Sequence, residues 1–161
     1  MDLRTELVHY FGLEKSWTIG LALFGLAALG LALFLWFARG PYRGAALPIG
    51  LFALLELSVG IGVAARTSDQ VAGLLEQVER TSDMAEERLR MERIVRTFEI
   101  VKVAELVLLA TGVALTYALR SSHFAFAVGV GLIAQCGALL VFDLIAERRA
   151  EPYLAALRAL R

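Results

Sequence analysis

Four long apolar runs dominate the chain, over about 17–37, 45–65, 100–119 and 124–146. Apolar runs of about twenty residues predict transmembrane helices, because at 1.5 Å per residue they match a hydrocarbon core of about 30 Å. Trp17 and Trp36 bracket the first run. They stand about 28 Å apart along a helix, one at each interface. That run is too long for a cleaved signal peptide, and FARGP after it is no small-residue cleavage site. The links ARGPYRG and RSSH are short. The first carries the helix breakers Gly and Pro, and the second offers Ser122 as a cap for the fourth span.

Between the second and third runs, residues 66–98 are polar but patterned. Val71, Leu74, Leu75 and Val78 repeat at helical spacing, and so do Met84, Met91, Ile94, Val95 and Phe98. Glu76–Arg80, Glu86–Arg90 and Glu92–Arg96 are spaced i,i+4 in the favourable order. Asp83, with Glu86 three residues on, forms a capping-box pattern. This predicts that spans 2 and 3 continue into an antiparallel helical hairpin, standing about 20 Å beyond the membrane. Leu3, Leu7 and Phe11 in segment 1–15, and Tyr153, Leu154, Leu157 and Leu160 in segment 147–161, predict short amphipathic helices lying on the membrane surface.

Charge then orients the bundle. Twelve Lys and Arg residues fall in the two terminal segments and the hairpin, three (Arg39, Arg43, Arg120) in the short links, and Lys102 lies inside a span. By the positive-inside rule both termini and the hairpin face the cytoplasm, which makes this an inner-membrane protein of four transmembrane helices in one all-α domain. Composition agrees. Hydrophobic residues make up 58% of the 161 positions and the mean hydropathy is +0.67, against about 45–50% apolar in soluble domains. A net charge of zero argues against a nucleic-acid partner.

The candidate chemistry sits inside the spans. Glu56 lies ten residues from Arg66, and Glu105 nine from Arg96, so two carboxylates share a depth about 14 Å beneath the arginine level. Spans 2 and 3, joined by the hairpin, should be neighbours, and two adjacent carboxylates in low dielectric should share a proton or a cation. Lys102 and Asp143 match in depth nearer the hairpin and allow an ion pair between spans 3 and 4. Glu99 lies closer to the surface still, and Gln135 near the middle of span 4 is expected to make an interhelical hydrogen bond and is a secondary site candidate. Intramembrane charges are costly and usually face a bundle interior or a cavity. Buried polar groups also simply fix packing and register, with Glu56 bonded to Ser58 or Thr111 and Glu105 to Lys102. Arg88, Arg90, Arg93 and Arg96 in RLRMERIVR are candidates for lipid headgroups, or serve only to set topology.

No Glu-x-x-His pattern, zinc spacing, P-loop or dinucleotide fingerprint is present, and His9 and His123 fall at opposite ends of the spans. Cys136 reads as a packed thiol, and no constellation argues for an enzyme, a resident metal or a particular cofactor. The pattern points to a subunit of a homo-oligomeric channel or proton/cation pathway. The alternatives are an accessory subunit of a larger membrane complex and a sensor acting through the hairpin.

Overall fold

A computed structural model describes residues 3–80 and 84–159. Four long helices account for nearly all of them: α1 (Leu3–Phe37), α2 (Ala46–Arg80), α3 (Ala85–Ala118) and α4 (His123–Ala159). A short 3₁₀ turn, Arg43–Ala45, precedes α2. Arg39, at φ 51°, turns the chain out of α1, and Arg43 then stacks on Trp36, 4.2 Å from the ring centre. At the other link Ser122 Oγ accepts from the Ala125 N–H at 3.4 Å and caps α4 as its position predicts.

Helices α1, α2 and α4 are long and apolar enough to cross a membrane. The apolar stretch of α3 is interrupted by Lys102 and Glu105. α1 has 35 residues, about 50 Å of helix, so it overshoots a hydrocarbon core of about 30 Å by roughly 20 Å. At one end of the bundle, the extension end, all four helices are rich in charged residues. The links lie at the other, the loop end.

The terminal segments are therefore not separate surface helices. Residues 3–15 are the first turns of α1, and residues 147–159 the last turns of α4. Their apolar stripes meet those of α2 and α3 in one cluster that includes Leu7, Phe11, Leu74, Met91, Tyr153 and Leu157. An amphipathic stripe looks the same whether lipid or helices cover it, and here helices cover it. Burial of Tyr153, Leu154 and Leu157 also carries α4 past Pro152, which removes a backbone donor.

Two of the three expected i,i+4 pairs are replaced by other partners, and the third, Glu76–Arg80, falls outside the described side chains at Arg80. Arg90 Nε and Nη2 donate to buried Glu87 at 2.7 Å, not to Glu86. Tyr153 Oη donates to Glu87 at 3.0 Å. Arg158 Nε donates to Glu92 at 3.2 Å, where Arg96 was expected. Arg90 thus keeps a partner on its own helix, one position over, while Tyr153 and Arg158 reach across from α4 because α3 and α4 lie close together. Asp83 lies outside the described residues. The position before α3 is Met84, which makes no side-chain cap bond.

Helix order is the second correction. α1 packs along α2, α3 along α4, and α4 touches both α1 and α2. Among the described residues no Cα of α3 comes within 8 Å of α1 or α2. Spans 2 and 3 are thus not close neighbours, because α4 occupies that place. Small residues allow its approach. A Cβ on Gly129 would lie 2.7 Å from the Gly112 carbonyl oxygen, and one on Gly131 would lie 2.9 Å from that of Ala45. Toward the loop end, Ala28, Ala32, Ala46, Ile49, Ala53 and Ala127 close the packing further.

Candidate functional site

The polar side chains of the spans converge on α4. Glu56 is 2% exposed and Gln135 4%. Gln135 Nε2 donates to Glu56 Oε1. On the other side α1 closes over the carboxylate, since a Cβ on Gly25 would lie 2.9 Å from Glu56 Cβ. Among the described residues Glu56 Oε2 has no hydrogen-bond partner. Ser58 and Thr111 are not its partners: their hydroxyls donate to the carbonyls of Leu54 and Val107 on their own helices, each at 2.8 Å.

Glu105 is 5% exposed, and among the described residues its Oε2 also has no hydrogen-bond partner. Its acidic neighbour is Asp143, and Cys136 lies beside it. Glu56 is not its neighbour. Gln135 and Cys136 are consecutive on α4, so they point about 100° apart. One holds Glu56 between α4 and α2, and the other meets Glu105 between α4 and α3. The expected carboxylate pair is two separate sites on one helix.

Lys102 does not pair with Asp143 as expected. Its Nζ donates to Glu147 Oε1 and Oε2 at 2.7 and 2.6 Å. Asp143 lies one turn deeper and faces both of them. The result is a polar seam between α3 and α4, from enclosed Glu105 past Asp143 to Lys102 and Glu147, whose side chains are 25% and 17% exposed. Glu147 was missed because it falls in the terminal segment. Its signal was the i,i+4 spacing from Asp143.

Of the other candidates, Glu99 is exposed on α3, as are Arg93 and Arg96. Arg88 is half-buried. Arg90 turns inward, bound to Glu87 and 5.8 Å from the centre of the Phe11 ring. Arg66 borders a cavity of about 340 Å³ whose walls come from all four helices where the extension meets the spans. There Glu14 accepts from Tyr10 at 3.3 Å and from Thr67 at 3.4 Å. Burial pushes the Glu14 carboxyl above its ordinary range and the Arg149 guanidinium below its own.

Among the described residues no group of three His, Cys, Asp or Glu side chains is placed to hold a metal ion. His9 and His123 are exposed at opposite ends of the bundle, and Cys136 is fully buried. No protein-family model, curated protein or solved structure matches the chain.

Proposed function

We propose that this chain is a small integral membrane protein that binds and releases a proton at Glu105, reached along the α3–α4 seam from the extension end. The single observation that carries this reading is the enclosed, unpartnered Oε2 of Glu105 at the head of that seam. A lone carboxylate oxygen buried in apolar surroundings is costly as an anion, and a proton removes the cost. Asp143, Lys102 and Glu147 give the proton a stepwise route outward. Beyond Glu105 the way narrows at the Gly112–Gly129 contact, so onward passage requires α3 and α4 to part there.

In this reading all four helices are embedded. α3 exposes Ile100, Val103, Leu106 and Val107 outward, a face suited to lipid. The extension and both termini lie in the cytoplasm, as the arginine distribution favours, which places the protein in the inner membrane. Homo-oligomers remain compatible with the pathway. Because Glu56 and Glu105 are enclosed by a single chain, it runs within a protomer and not between protomers. Glu56, held by Gln135, is an assembly contact with α4 that can also hold a proton.

Vesicles reconstituted with the protein test this under an imposed proton gradient. Wild type carries protons, and Glu105→Gln abolishes the flux while the purified protein keeps its size and helicity. Undiminished flux in Glu105→Gln would overturn the reading. A second reading, an accessory subunit, is favoured by Val8 and Leu89, apolar and half exposed on the otherwise polar extension. Loss of a co-purifying subunit from Leu89→Glu would support it.

A further inference from the structure

The cavity at the base of the extension shares only Asp143 with the proton route. Its deep wall is apolar: Leu21, Val59, Val63 and Phe142. Trp17 marks the interface, with Phe142 edge-on at 6.0 Å. The rim carries Arg66 and Arg149. Arg66 is exposed and donates no side-chain hydrogen bond among the described residues. Arg149 stacks over Trp17, 5.3 Å from the ring centre.

We propose that this cavity holds one acyl chain of an anionic membrane phospholipid, whose phosphate sits on Arg66 and Arg149. Three observations single out that occupant. The cavity straddles the depth at which a headgroup gives way to hydrocarbon, with Trp17 at the boundary. The cavity is partly open and not an enclosed void, so a chain can slide in from the bilayer. The charge balance also fits. Of the two acidic groups on the wall, Glu14 is hydrogen-bonded by Tyr10 and Thr67, and Asp143 faces Lys102. Glu14 faces both arginines electrostatically, and two guanidiniums against that one carboxyl leave the rim positive for an anion. At about 340 Å³ the space is within the usual range for small-ligand sites, about 300–1,000 Å³.

The two tryptophans supply the test, since Trp17 borders the cavity and Trp36 lies at the opposite end. In a Trp36→Phe background the protein is reconstituted in phosphatidylcholine vesicles. Trp17 quenching is then titrated with phosphatidylglycerol or phosphatidylcholine carrying brominated chains. Preferential occupancy predicts half-quenching by the brominated phosphatidylglycerol at a mole fraction about fivefold lower, the factor one cation near an anionic surface contributes. Arg66→Gln, at an exposed position, removes that preference. Val63→Phe, which fills the apolar wall, removes it too. Equal quenching by the two lipids overturns the proposal, and so does a preference that survives Arg66→Gln.

Discussion

At the scale of single residues, what matters is which partner each buried polar atom finds. Gln135→Leu leaves both Glu56 oxygens without a donor. It should destabilise the bundle by about 1–3 kcal/mol, the cost of an unsatisfied buried group, read as a lowered unfolding midpoint in detergent. Lys102→Met acts differently. The Lys102–Glu147 pair is partly exposed, so stability should change by less than about 1 kcal/mol while proton flux falls. A third residue reports on pH. Burial raises the Glu14 carboxyl, so the folded state holds a proton that the unfolded state releases. Stability from this group is therefore present below the ordinary glutamate range and declines as pH rises through the raised value. Glu14→Gln should flatten that decline in melts taken across the range.

Much of this layer was legible in the sequence. Glu56, Glu105 and Gln135 stand out because a polar side chain inside an apolar run has few bland explanations. Their partners were not legible. Depth matching names every residue at a level but not the helix that lies between two of them. For that reason Glu56 was matched to Glu105 and not to Gln135, and Lys102 to Asp143 and not to Glu147.

At the scale of elements, periodicity located all four helices, and Ser122 caps α4 where it was expected. It misread the ends of the chain. Leu7 and Phe11 form the same stripe whether they lie on lipid or on Leu74, Met91 and Tyr153, and only the length of α1 as one rigid rod separates the two. The helix contacts themselves can be tested. Gly129→Leu puts a branched side chain where Gly112 leaves no space, and should cost about 1–3 kcal/mol by overpacking. Tyr153→Phe removes one hydrogen bond to Glu87 and keeps the ring, so it should cost only about 1 kcal/mol.

At the scale of the whole molecule, an apolar half and a polar extension share the same four helices. The apolar half exposes Leu23, Leu51, Ile61 and Val103 outward, where water would penalise them and lipid does not. The extension closes around its own core, so a change at one end of α4 can reach Gln135 and Asp143 through a single rod. Orientation is testable with one added thiol, since Cys136 is the only native cysteine and is buried. Glu86→Cys, exposed near the extension tip, should resist an impermeant thiol reagent in intact cells and react in inverted membranes.

The most direct test of the central claim is infrared difference spectroscopy of the reconstituted protein between acid and alkaline pH. The account predicts a carbonyl band from protonated carboxyls that appears with acid, loses one component in Glu105→Gln, and keeps that component in Glu56→Gln. A Glu105→Gln spectrum identical to that of the wild type would contradict it. Glu105 would then not be the proton-binding group, and the seam between α3 and α4 would be a packing contact.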